Sequence, residues 1–309
     1  MGRIFAVAIN TFREAVRDRV LYGVLGIATF VLIFTLVLAE VSLDQQRRIV
    51  LDVGLASISL FSVLVSVFLG SSLLYKEIER KTLYVILPKP IRRYEFLLGK
   101  YFGIVLTCAV FIAVQGAVQI CVTALQAGAP FSRIALVLFG MPLLLGVMAW
   151  RASDPASLTF PWSLAALAAA AWVARSAGVD LGPMLASLAL TVGEILVLTA
   201  VALFFSAFST PFLTALLTIG VWFAGRSADA MMTMKARSMP DGLKFFLREL
   251  ARVWPNFNVF VPGRHTLEVT LAQGAGPLSY VDNTLLYAVS YSAVVLIFAA
   301  LVFRRRDFL

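Results

Sequence analysis

Apolar residues in this chain fall in long unbroken runs, and polar residues gather in short blocks between them. A helix that crosses a bilayer needs about 20 apolar residues. Val20–Ala39, Ile49–Tyr75 (with the single charge Asp52) and Phe102–Ala127 (with none) each meet that length. They predict spans at roughly 20–40, 49–75 and 101–126. Met184–Phe205 predicts another and residues 284–303 the last, while Pro211–Gly225 is apolar but short for a crossing. Ile134–Trp150 and Trp162–Ala174 are also short, separated by the turn-rich Arg151–Pro161, and Met141-Pro142 is expected to kink the first. This pair predicts either a helical hairpin through the bilayer or a shallow re-entrant pair, and both return the chain to the same side. Transmembrane barrels show short alternating segments instead. The pattern therefore gives an all-α polytopic membrane protein with six core spans and an extra hairpin.

Two segments have helical periodicity of a different kind. In residues 3–19, Phe5, Ile9, Phe12 and Val16 recur at i, i+4, i+7 and i+11, flanked by Ile4, Ala8 and Ala15, while Arg3, Asn10, Arg13, Glu14, Arg17 and Asp18 lie elsewhere on the wheel. This predicts an amphipathic helix on the membrane surface, the alternative being a cytoplasmic extension of the first span. In Asp241–Trp254, Leu243, Phe246, Leu247, Leu250 and Trp254 form one stripe opposite Lys244, Arg248 and Arg252. That segment is expected on the outer leaflet surface. The organisation is thus 1–19 interfacial helix, 20–126 three spans, 127–182 extra hairpin, 183–225 further spans, 226–282 an extracytoplasmic or re-entrant segment, and 283–309 the last span with a basic terminus.

Composition narrows the class. Of 309 residues 61% are hydrophobic and 14% charged, with a mean hydropathy of +0.91, which excludes an ordinary soluble domain. The net charge of +9 does not point to nucleic acid, because the cations cluster beside the spans, as loop positives do when they set topology. Residues 1–19 hold four Lys or Arg, the block from Lys76 seven and the C-terminus three. These regions share one side, which the positive-inside rule makes the cytoplasm, so both termini are expected there. Val20–Ala39 is too long for a signal h-region and fits a retained span. Cys108 and Cys121 lie along one span, about 20 Å apart by helical rise, beyond disulfide reach. One histidine, His265, and separated cysteines give no metal or haem spacing.

The densest chemistry is the block Lys76–Tyr101, where seven Lys or Arg and three Glu sit between two spans. Lys76-Glu77-Ile78-Glu79-Arg80-Lys81 continues the second helix out of the membrane, and Pro88 and Pro90 break it. Arg92-Arg93-Tyr94-Glu95 begins a return helix, and Gly99-Lys100 leads into the third span. The block is either a rigid handle for a partner or a solvated loop whose positives set topology. Gly99-Lys100 is not a phosphate loop, since position 94 is Tyr and position 101 is not Ser or Thr. No nucleotide site and no enzyme constellation is present, so any ATP is bound by another polypeptide.

One carboxylate, Glu194, falls midway along Met184–Phe205. An unpaired charge there costs on the order of 3 kcal/mol or more. It is either a substrate or proton contact or a helix–helix hydrogen bond made as a neutral acid. Gln115 and Gln119, one turn apart, either share that polar seam or join helices. With Ser206 these are the candidates for a translocation path. Asp52, near a span's outer end, is expected to reach the headgroups.

The stretch Lys76-Glu77-x-Glu79-x-Lys81-Thr82, followed by Leu87-Pro88-x-Pro90-Ile91-x-Arg93-x-Glu95-x-x-x-Gly99-Lys100, resembles the cytoplasmic loop of ABC-2 type transporter permeases. More narrowly it resembles the subgroup named for multi-copper enzyme maturation, the type that serves nitrous oxide reductase. Asn10-Thr11-Phe12-Arg13-Glu14-Ala15-x-Arg17-Asp18, Ser206-x-x-Ser209-Thr210-Pro211 and Phe303-Arg304-Arg305-Arg306-Asp307 are similar to that subgroup's N-terminal helix, polar break and C-terminal stop. The resemblance implies a type V exporter-like transmembrane domain in a bacterial inner membrane, with no catalytic residue of its own. Glu77, Glu79, Arg80, Lys81, Thr82, Pro88 and Pro90 would form the coupling contact with an ATPase subunit, Arg92 and Arg93 closing its return. Two ATPase copies would hold ATP and Mg, a second permease subunit would complete the path, and a periplasmic accessory protein is a further partner the family allows. The 226–282 segment would form short re-entrant helices capping the outer end. The Ile134–Asp180 region departs from the family's six-span pattern, so eight spans are open. The competing classes are a membrane anchor relaying ATPase work to extracytoplasmic partners and an ion-coupled secondary transporter, which needs intramembrane carboxylates and broken helices.

Overall fold

The computed structural model describes residues 2–41, 45–79, 92–152, 154–228, 242, 249, 254–261 and 277–305, with side chains at 73–79, 277–278 and 305 left aside. Among these residues the chain is helical and has no strand. Seven helical stretches are long and apolar enough to cross a membrane, the architecture of a polytopic membrane protein. The helices are α1 (Gly2–Val16), α2 (Arg19–Val41), α3 (Gln46–Glu79), α4 (Arg93–Gln126), α5 (Phe131–Ala135), α6 (Met141–Arg151), α7 (Pro155–Ser176), α8 (Gly182–Ser206), α9 (Pro211–Arg226) and α10 (Pro277–Arg305). A π turn, Leu136–Gly140, joins α5 to α6, and a 3-10 turn spans Phe257–Phe260.

The chain divides into two compact units, Met1–Ser66 with Leu98–Val192 and Val67–Leu97 with Gly193–Leu309. In the first, α4 presents glycines to its neighbours. A Cβ at Gly99 would overlap Val7, and one at Gly103 would overlap Thr11 and the Ala8 carbonyl. Small residues let backbones close up where lipid supplies no hydrophobic drive, and α1 docks in this way. Its buried face is therefore Ala8, Thr11, Phe12, Ala15 and Val16. Phe5 lies outside that face at 67% exposed, while Phe12 and Val16 of the expected stripe lie within it beside the smaller Ala8, Thr11 and Ala15.

The α5–α7 region corrects the expected break. The interruption is only 152–154, because Pro155 occupies the start of α7, where a missing N–H costs nothing. Pro161 lies inside α7. Thr159 and Ser163, on either side of it, bond back to the Ala156 and Phe160 carbonyls at 2.7 and 2.8 Å. Pro142 withdraws the N–H that the Leu138 carbonyl would use, and the chain widens into the π turn just before it instead of ending. Trp162 Nε1 donates to the Met141 carbonyl at 2.7 Å. Two arms of 21 and 22 residues result. Each is long enough for a crossing, which favours the hairpin over the shallow pair.

Glycines end two of these helices. Gly128 (φ 84°) and Gly178 (φ 75°) take the left-handed conformation. Ala129 and Val179 then donate back to the Ala124 and Ala174 carbonyls at 3.0 and 3.1 Å, the Schellman arrangement. The turns bring Ile134 and Val137 against Ala117, Cys121, Ala170 and Val173 in one apolar cluster. Cys108 and Cys121 are both free and buried, packed as small apolar groups.

In the second unit, Ala202 of α8 fills the space beside Gly70 of α3. Ser209 and Thr214 share a 2.6 Å hydrogen bond across the α8–α9 turn, with Pro211 at the start of α9. Residues 254–261 pack on α8, α9 and α10: Phe260 lies against Gly193 and Phe257 against Gly225. Trp254 Nε1 donates to the Val221 carbonyl at 3.0 Å, Asn256 N to Tyr287 Oη at 3.0 Å, and Tyr280 Oη to the Val259 carbonyl at 2.7 Å. Trp254, expected to end an amphipathic surface helix, is instead a bend residue pinned to α9. The rest of that expected helix lies outside the described residues, apart from isolated positions.

Candidate functional site

The charged block is described at its two ends. Helix α3 carries the backbone through Glu77 and Glu79, while Arg80, Lys81, Thr82, Pro88 and Pro90 lie outside the described residues, as do the Glu77 and Glu79 side chains. At 34 residues, α3 is about 51 Å long at about 1.5 Å per residue. A bilayer with its headgroups is about 40–45 Å thick, so the helix overreaches it.

The return begins at Arg92, whose N–H donates to Glu95 Oε2 at 2.9 Å, a reach-back that satisfies a donor at the start of α4. Arg92 Nη1 donates to Tyr94 Oη at 3.2 Å, and that bond, with the charge of Glu95, raises the Arg92 guanidinium above its ordinary value. Arg93 Nη1 donates to the carbonyls of Phe303 and Arg304 at 3.3 and 2.9 Å, near the C-terminal end of α10. A cation suits that end of the helix dipole. Phe96 stacks on Phe303 beside this clasp, with ring centroids 6.4 Å apart. Arg93 thus grips the last helix.

Gly99 and Lys100 do not lead into a separate span. They lie inside α4, one continuous helix from Arg93, and they serve α1: Gly99 admits Val7, and Lys100 lies buried with its Nζ 3.6 Å from Glu14 Oε2. On the same helix, Arg13 Nη2 is 2.5 Å from Asp154 Oδ2, and Arg13 Nε donates to Ser157 Oγ at 3.4 Å. Ser157 also donates to the Asp154 carboxylate. The Ser157 bond, and then Arg13, hold the Asp154 carboxyl below its ordinary value. Asp154, just before α7, is therefore fastened to α1.

Glu194 is the sharpest feature inside the spans. It is fully buried midway along α8. Its Oε1 accepts from Trp222 Nε1 and from Arg226 Nη2, both at 2.8 Å. The Arg226 guanidinium lies 5.3 Å from the centroid of the Trp222 ring, one turn back on α9. The sequence left Glu194 as either a substrate or proton contact or a neutral-acid hydrogen bond; the structure pairs it with Arg226, reinforced by an indole. Arg226, expected to open an outer segment, instead ends the short α9 beside the middle of α8. The two glutamines join helices: Gln115 Nε2 donates to the Leu25 carbonyl at 3.0 Å, and Gln119 Nε2 to the Val50 carbonyl at 2.8 Å. Both belong to the first unit, whereas Glu194 and the buried Ser206 belong to the second. Asp52 is exposed and pairs with Arg48 at 3.4 Å.

No protein-family model matches the chain, and no curated protein matches it. The chemistry must be read from the residues themselves. Among the described residues no group of three or more His, Cys, Asp or Glu could hold a metal, and His265 lies outside them. Sequence reasoning missed Arg226, Trp222, Asp154 and the Lys100–Glu14 pair. Two signals were available: Trp222 and Arg226 stand at i, i+4, and Lys100 directly precedes an apolar run.

Proposed function

We propose that this chain is the membrane-spanning permease subunit of an ATP-driven ABC transporter of the exporter type, with the ABC-2 fold. It would sit in a bacterial inner membrane with both termini cytoplasmic. The observation that carries the reading is the charged block. It is held at the end of a helix longer than a bilayer, and its return is locked to α10 through Arg93. A loop that only sets topology needs neither property, whereas a handle pushed by a soluble partner needs both. In this reading two ATPase subunits bind ATP and Mg and dock on the block through Glu77, Glu79 and their neighbours. A second permease chain completes the path, and no covalent chemistry occurs here.

The Glu194–Arg226 pair weighs against an ion-coupled secondary transporter. The carboxylate such coupling would use is already held by a protein cation. A membrane anchor relaying ATPase work to extracytoplasmic partners would use the same handle, and transport assays separate it from a permease. The test is Glu77→Lys with Glu79→Lys. Loss of co-purification with the cognate ATPase, or hydrolysis no longer coupled to transport, is the expected result. Transport by the purified chain without any ATPase would overturn the reading.

A further inference from the structure

Beside α1 lies a crevice of about 570 Å³ lined by Asn10, Arg13, Glu14, Arg17 and Asp154. Its position follows from the chain. Helix α2 starts at Arg19, α6 ends at Arg151 and α7 starts at Pro155. Three predicted spans therefore terminate around it, which is the depth of lipid headgroups. Its charges are not equivalent. Asp154 is taken by Arg13 and Ser157, and Glu14 faces Lys100. Arg17 is exposed, and its guanidinium makes no hydrogen bond or ion pair among the described residues, although its charge acts on Asp154. The crevice thus has one cation without a direct contact among the described residues, with the Asn10 amide as a further donor.

We propose that this crevice binds the phosphate of an anionic phospholipid headgroup, with Arg17 as its principal contact. Charge complementarity selects the anion: both acids are engaged by protein cations, and one guanidinium is left over. A planar guanidinium fork suits phosphate oxygens better than a point charge would. The surroundings select the lipid over a soluble phosphate, because apolar side chains stand exposed on the same elements. Phe5 of α1 is 67% exposed and Trp150, at the end of α6, 87%. An acyl chain attached to the phosphate has apolar surface to follow, and an indole near a span's end suits the interface. This inference does not depend on the transporter reading, since it concerns only α1 and the turn it is fastened to.

The test uses the full chain, delipidated in detergent, with hydrogen exchange of residues 2–16 as the readout. Dioctanoyl phosphatidylglycerol, dioctanoyl phosphatidylcholine and inorganic phosphate are titrated separately. Phosphatidylglycerol is expected to protect α1 saturably, while the other two give no saturable protection at the same concentrations. Arg17→Gln should weaken the phosphatidylglycerol effect roughly tenfold, the scale of one lost charge-assisted contact. Arg19→Gln removes an equal charge just outside the crevice and should leave it within about twofold. Unchanged exchange of both variants without lipid shows that they are folded. Equal losses in the two variants would make the effect diffuse surface charge and overturn the proposal. So would equal protection by phosphatidylcholine, protection by inorganic phosphate alone, or no protection by any of the three.

Discussion

Two buried charges, Lys100 and Glu194, solve the same problem in different ways. Each is at most 1% exposed, and each has an ion-pair partner. The partner of Lys100 is Glu14, 40% exposed on the surface helix α1 and 3.6 Å away. The partner of Glu194 is Arg226, 22% exposed and 2.8 Å away, with the Trp222 indole donating to the same oxygen. The Lys100 pair therefore borrows water through its partner, whereas the Glu194 pair must be satisfied almost wholly by protein. Removing Lys100 leaves Glu14, which can rehydrate, whereas removing either member of the second pair leaves a charge largely out of water. Depth in the protein matters less than which partner can reach water.

The largest expected effect follows from that asymmetry. Glu194→Ala strands Arg226 and should cost about 3–5 kcal/mol, read by denaturant unfolding in detergent. Arg226→Ala should cost a similar amount, and the double variant less than the sum of the two. Additive losses would mean that the pair is not coupled. A smaller effect is expected at the floor of the α1 dock. Gly103→Val drives a side chain into Thr11 and the Ala8 carbonyl and should cost about 1–3 kcal/mol, with faster hydrogen exchange confined to residues 2–16. Lys100→Met is the direct counterpart of the Glu194 change. Glu14 can hydrate, so the loss should stay within about 1 kcal/mol. A loss as large as that of Glu194→Ala would erase the distinction.

The smallest effect is a pH dependence. The Asp154 carboxyl lies below its ordinary value in the folded state. Its contribution is therefore fully present above the ordinary carboxylate value and fades as pH falls through the lower folded one. Acidification through that window should loosen α1 in wild type, seen as faster exchange at residues 2–16, and Asp154→Asn should remove that part of the response.

The spans were legible because an apolar run of sufficient length admits few other readings in a chain so poor in charge. The charged block was legible for the same reason inverted. What escaped were features set by partners far away in sequence. Gly99-Lys100 looked like a fragment of a phosphate loop, but its meaning lies in Val7 and Glu14. Glu194 stood out as a lone carboxylate, while Arg226 looked like the start of a loop because α9 is short and its end is polar. Hydrophobicity alone cannot tell which members of the α1 stripe meet protein, so the exposed Phe5 and the buried Phe12 read alike in the sequence. Met141-Pro142 suggested a kink and Arg151–Pro161 a break, and helix continues through both Pro142 and Pro161.

The clasp between Arg93 and α10 has a consequence for biosynthesis. Arg93 and the Phe303 carbonyl it holds are separated by 210 positions. A nascent chain emerges from its N-terminal side, so the first turn of α4 waits through the insertion of every later helix before its anchor exists. Until then the start of α4 has no hold on α10, and in a chain stopped before residue 303 that clasp cannot form.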